Sequence, residues 1–165
     1  MAKQNIKVIC CDIDATLTWF SKDISDLNRK AILDLMDAGI LFGLGSGRSY
    51  ADLKTYPLQW KMDRPFDFYV GLNGASLYDE MTRENELFFE IEKEDVKVII
   101  EEVDRIGLTS HIYDRGVTMF SREDERVKML RDLFFRDAIV VDDLSQMYKE
   151  KTSKVLINVV DEQMN

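Results

Sequence analysis

Three short apolar runs, Val8 to Cys11, Ile40 to Ser46 and Phe66 to Gly74, alternate along the first half of the chain with segments of helical spacing. The first run, rich in β-branched and small apolar residues, predicts a buried strand. After it, SDLNRKAILDLMDAG sets Leu27, Ala31 and Leu35, and Ile32 and Met36, at helical spacing, with Ser25 as N-cap and Gly39 as the closing residue. ILFGLGS predicts a second buried strand. SYADLKTYPLQW predicts a helix broken near Pro57, and FDFYVGLNG a third strand ending in an Asn-Gly turn. Strand, helix, strand, helix, strand requires right-handed crossovers and a parallel sheet, so the expected class is α/β. Such sheets bind ligands beyond the carboxyl ends of their strands, which is where Asp12, Asp14, Ser46, Gly47, Arg48 and Asn73 all fall.

Asp12 and Asp14 leave the first strand at a spacing of two, which in extended chain puts both side chains on one face. Like charges that close repel unless a cation or a shared proton offsets them. A polar strand exit with both acids facing water is the other reading of these residues. The formal net charge of -9 disfavours a nucleic-acid groove, because phosphate backbones are bound by excess Lys and Arg. Small anions then need a local metal or a nest of backbone amides. Cys10 and Cys11, neighbours on the first strand, point to opposite faces and form no ordinary disulfide, which predicts a reduced, cytoplasmic setting. The apolar run before Asp12 is too brief for a signal-peptide core or a membrane span. The expected protein is soluble, with neither nucleic acid nor membrane as partner.

From about Leu77 the pattern changes. SLYDE and ELFFEIE predict a hairpin leading out of the sheet. Val96, Ile99, Ile100 and Val103 mark an amphipathic helix closed by Gly107, and TSHIY and VTMFS flank the turn Asp114-Arg115-Gly116. Val127, Leu130 and Phe134 mark a second helix, and SKVLINVV, Ser153 to Val160, a further strand. The expected module is α+β, a small antiparallel sheet with helices on one face. His111, the single histidine, falls on one of the expected strands of this module, so packing rather than a metal or triad role is expected for it.

The chain resembles the haloacid dehalogenase superfamily of phosphohydrolases, in its Cof-like branch with an α+β cap of the C2 type. The resemblance is carried by DIDATLT, by the segment ISDLNRKAILDLMDAGILFGLGSGRSY and by GLNGASLYD, in that order. Asp12, Asp14 and Thr16 match the family's Asp-x-Asp-x-Thr motif; Ala15 stands where glycine is usual in this branch. The resemblance implies a Rossmann-like parallel core over residues 1–82 and an inserted cap over 83–165. It implies Asp12 as nucleophile through an aspartyl-phosphate, Asp14 as general acid and base, and Mg2+ held by Asp12 and Asp14. Ser46 and the Gly47 amide would bind the phosphoryl oxygens of a small phosphorylated metabolite. Thr16 is carried over as a support or substrate residue. For Arg48 two roles stay open, reaching the substrate or tying down its own helix. Asn73 is weighted toward a structural turn over a place beside the phosphate.

The family pattern continues with a lysine and a late Gly-Asp-x-x-Asn-Asp segment, and nothing after Gly74 in this sequence fits either. The expectation is therefore the amino-terminal part of a longer phosphatase, stopping inside its cap. Two functional classes remain: a phosphatase, weak or complete only with that portion, and a silent phosphate-binding module. A receiver-like phosphoacceptor would also carry a strand-end aspartate, but the second module speaks against it. An uncovered first strand also predicts self-association through its open edge.

Overall fold

A computed structural model describes residues 6–19, 23–114, 117–133 and 138–159. The described chain divides into two compact units, Met1–Phe88 and Phe89–Asn165.

In the first unit, β1 (Val8–Cys11), β2 (Leu41–Gly45) and β3 (Phe68–Gly71) pair in parallel, as the alternating pattern requires. Helix α1 (Asp26–Asp37) makes the first crossover; Ser25 caps it, its side chain accepting from the Asn28 amide at 3.1 Å, and Gly39 turns the chain at φ +77°. Only part of the expected apolar stripe is used. Ile32 is buried and Met36 packs on the core, whereas Leu27 is 77% exposed. The second crossover is two short helices, α2 (Tyr50–Leu53) and α3 (Tyr56–Gln59), with Pro57 in the first turn of the latter.

The hairpin expected to leave the sheet instead extends it. Strands β4 (Ser76–Asp79) and β5 (Glu84–Leu87) add antiparallel to β3, giving the order β1-β2-β3-β4-β5. Asp79 makes the turn, its carboxylate accepting from the amides of Met81 at 2.7 Å and Thr82 at 3.0 Å, and Arg83 adopts φ +60°. The division at 82/83 falls within this turn.

One face of the sheet carries Phe42, Leu44 and Tyr69, packed with Ile13, Ile32, Leu53, Trp60 and Phe66. Ile9 and Cys11 join that face, since strand side chains alternate. The opposite face is open at Val8, 53% exposed, Leu41, 50% exposed, and Cys10. The expectation of a buried first strand is therefore corrected in one respect: β1 stands at the sheet edge, as expected, but among the described residues only one of its faces is covered. On the same open face Phe68 lies across Gly43, where an added Cβ would meet the Phe68 ring and carbonyl oxygen at 2.5 Å.

The second unit holds β6 (Thr109–Asp114), β7 (Val117–Phe120), β8 (Ile139–Val140) and β9 (Val155–Asn158), in the order β8-β7-β6-β9. β8 runs parallel to β7, so the sheet is mixed rather than purely antiparallel. Helix α4 (Lys93–Arg105) buries Val96, Ile100 and Val103, the first two against Ile112, Met119 and Val155. Helix α5 (Glu125–Leu133) packs Val127 and Leu130 against Phe120 and Val140. Met119 and Phe120 are successive strand residues and face opposite ways, so helices cover both faces, not one. Phe134, Arg115 and Gly116, read as helix and turn residues, lie outside the described residues.

His111 is 3% exposed and packs against Phe120, ring centres 4.8 Å apart. Burial, and then the nearby Lys154 charge, push its pKa down to about 4. The unfolded chain therefore binds more protons between that value and the ordinary histidine range near 6.5. The stability this neutral histidine contributes is present above that range and is lost as pH falls toward 4. Urea titrations across the window are expected to flatten in His111→Phe; an unchanged pH slope would contradict the assignment. Among the described residues no helix is long and apolar enough to cross a membrane.

Candidate active site

Asp12 and Asp14 flank Ile13, which is 1% exposed and anchors the strand exit in the core. The two aspartates are exposed, on the side away from Ile13, as their spacing requires. The Ile13 carbonyl accepts from the amides of Leu17 at 3.0 Å and Thr18 at 2.9 Å and from the Thr18 hydroxyl at 3.2 Å. This folds the DIDATLT segment back on itself, and Asn28 of α1 pins it further by donating to the Leu17 carbonyl at 3.3 Å. Thr16 sits in the same turn, its amide 3.4 Å from the Ile13 carbonyl.

The segment after β2 is tied to the end of β3. Ser46 donates its amide to the Val70 carbonyl at 2.9 Å and accepts from the Asn73 amide at 3.1 Å; Leu72 donates to the Arg48 carbonyl at 2.9 Å. Gly71 permits the approach, because a Cβ there would meet Ser76 Oγ at 2.7 Å and the Arg48 carbonyl at 3.0 Å. Leu72, Asn73 and Gly74 follow at φ +52°, +61° and +98°. Leu72 in the left-handed region is a strained residue beside the site. Asn73 thus enters the site through its backbone, fixing Ser46. Gly47 lies two positions ahead of Ser49, the cap of α2, so its amide precedes the helix rather than opening it.

Arg48 reaches back across 34 residues to Asp14: its Nη2 lies 3.2 Å from Oδ1 and 3.0 Å from Oδ2. Its amide also donates to Ser46 Oγ at 3.3 Å, and its guanidinium stands over the Tyr56 ring at 5.5 Å from the centroid. The structure therefore gives Arg48 a third role that the sequence did not suggest, an ion pair with the second aspartate. No side-chain hydrogen bond or ion pair engages Asp12 among the described residues. Nor, among them, do three or more His, Cys, Asp or Glu side chains gather as a metal cluster. With the Asp14 side chain held by Arg48, the oxygens left are the Asp12 carboxylate and the Asp14 main-chain carbonyl, a donor set that suits a hard cation keeping much of its water and taking few protein ligands, as Mg2+ does.

The sequence profile of the haloacid dehalogenase-like hydrolases matches residues 9–165. The chain belongs to that family. Among solved haloacid dehalogenase-like structures, one from Bacteroides thetaiotaomicron superposes with a TM-score of 0.82 at 23% identity, over 97% of this chain and 60% of its own. A Thermotoga maritima protein gives 0.79 at 23% identity, over 97% of this chain and 59% of that one. A sugar phosphatase of subclass IIB gives 0.75 at 17%, over 96% and 60%. These likenesses establish the fold. In sequence, the chain is 32% identical over 75 residues to the 5-amino-6-(5-phospho-D-ribitylamino)uracil phosphatase YcsE of Bacillus subtilis, 46% of this chain and 29% of that protein. The chain spans about 60% of the length of the solved relatives.

Ala15 now has a physical meaning within the haloacid dehalogenase-like motif. It adopts φ +59°, the left-handed region where a side chain is penalised and glycine is not. Ala15→Gly is expected to stabilise the chain by about 0.5–1 kcal/mol, the left-handed penalty less the extra freedom glycine has unfolded. Urea unfolding measures it, and a destabilised variant would contradict the backbone assignment. Tyr56 and Leu72 carried no signal in the sequence; each acts through a contact between separate segments.

Proposed function

We propose that this chain carries the nucleophile half of a Mg2+-dependent phosphohydrolase acting on a small phosphorylated metabolite in the cytoplasm. The observation that supports it most directly is an uncommitted Asp12 two residues from an Asp14 held by Arg48, whose own amide donates to Ser46 Oγ. In this reading Asp14 enters the step as the carboxylic acid; an Asp12 oxygen attacks phosphorus as the ester bond breaks, and the protonated Asp14 gives its proton to the departing oxygen. Asp14 then takes a proton from water, whose oxygen attacks the aspartyl-phosphate, releasing phosphate and restoring Asp12. The Ser46 hydroxyl accepts from the Arg48 amide, which aims its own hydrogen away toward the phosphoryl oxygens, joined by the Gly47 amide. Thr16 and Asn73 shape the two loops. The Asp12 carboxylate and the Asp14 carbonyl would hold Mg2+, which would supply charge to offset the repulsion between nucleophile and phosphate.

Hydrolysis of simple phosphate monoesters with Mg2+ and with EDTA tests the proposal. Turnover that needs the metal is expected, with hydroxylamine intercepting the acyl-phosphate. Phosphate binding at Ser46 with no turnover at any metal concentration would replace it by the silent binding module.

A further inference from the structure

Arg48 uses one nitrogen of its fork on Asp14, while its Nη1 is buried with no hydrogen-bond partner among the described residues. A guanidinium held at one nitrogen pivots unless its flat face is supported. In this structure the support is aromatic. Tyr56 of α3 stands 5.5 Å from the Arg48 Cζ; its ring packs edge-on against Trp60, centroids 4.8 Å apart at 64°, and Trp60, 2% exposed, belongs to the core with Phe66. We infer that Tyr56 is a positioning residue: it clamps the Arg48 guanidinium face, so that the ion pair holds the Asp14 carboxylate in one orientation. The chain of contacts runs from the core through Trp60, Tyr56 and Arg48 to Asp14. Ring and guanidinium attract through the ring's quadrupole, and this needs the face of the ring, not its hydroxyl.

The inference rests on reading Asp14 as the acid and base. A carboxylic acid matters most when the leaving oxygen is a strong base and little when it is a stabilised phenolate. Tyr56→Leu is therefore expected to slow kcat on an alkyl phosphate by about threefold to tenfold, with p-nitrophenyl phosphate changed less than about twofold. Tyr56→Phe should behave as the parent. Arg48→Lys, which keeps charge and loses the planar face, should repeat the ester-dependent loss and guards against a Tyr56→Leu chain that folds poorly. A second readout needs no turnover: NMR of the Arg48 guanidinium should show slowed rotation about its Nε–Cζ bond in the parent and Tyr56→Phe, and faster rotation in Tyr56→Leu. Equal losses on both esters, or rotation indifferent to Tyr56, would overturn the inference. If the parent hydrolyses neither ester, the functional reading fails and the rotation measurement alone decides whether Tyr56 clamps Arg48.

Discussion

Asp12→Asn is expected to abolish monoester hydrolysis, a loss of about ten-thousandfold or more, while the melting curve stays where it was. The side chain is exposed and no described hydrogen bond or ion pair depends on it, so the fold has nothing to lose. The amide keeps the shape of the carboxylate but not the charge that makes it a nucleophile and a hard metal ligand. Asp14→Asn should differ in kind: it breaks the charge half of the Arg48 pair and removes the proton donor, so its loss should depend on the leaving group. Steady-state kinetics on two esters of different leaving-group basicity, beside thermal melts, separate the two. An Asp12→Asn protein retaining a per cent of turnover would remove Asp12 as the attacking group.

Gly43→Ala should be the most damaging single methyl that can be added to the first unit, at about 3 kcal/mol, the upper part of the range for overpacking. The new Cβ would meet both the Phe68 ring and the Phe68 carbonyl oxygen at 2.5 Å. The ring can swing away toward the open face. The carbonyl cannot, because Gly43 and Phe68 are register partners in the β2–β3 ladder. Phe68→Ala in the same chain should therefore restore only part of the loss. Urea unfolding of the three variants gives the comparison, and a Gly43→Ala chain within about 0.5 kcal/mol of the parent would show that β2 and β3 are not packed this closely.

The parallel strands and their helices were legible because local pattern and tertiary need agree there: Ser25, Gly39 and the run Leu41–Gly45 all do what their types prefer. Where reading failed, a local signal was outvoted. The pair Phe88-Phe89 drew the second hairpin strand too far along, whereas the Asp79 turn starts pairing at Glu84, among polar residues with no β signal. An unbroken apolar run such as Val8–Cys11 implies cover on both faces, but an edge strand with one face packed satisfies the same run. β8 is two residues long, too short to carry a period. That the aspartates, Ser46 and Arg48 fall just beyond strand ends was legible from the apolar runs before them. What Arg48 touches was not, since an ion pair across 34 residues leaves no trace in spacing.

The alternation of β1 also places two natural chemical probes back to back. Cys10 lies on the open side of the sheet and Cys11 on the packed side, one peptide bond apart. Burial raises both thiols above their ordinary range, and for Cys10 the neighbouring Cys11 and Asp12 charges raise it further, so alkylation is slow enough to follow at neutral pH. Because the two share a strand, any unfolding exposes them together, and their rates then converge. Anything that settles over Val8 and Leu41 shields Cys10 alone. A fall in the Cys10 rate at a constant Cys11 rate thus reports occupancy of one side of the sheet, whereas a rise in the Cys11 rate reports unfolding, in a chain that carries no other cysteine and needs no introduced label.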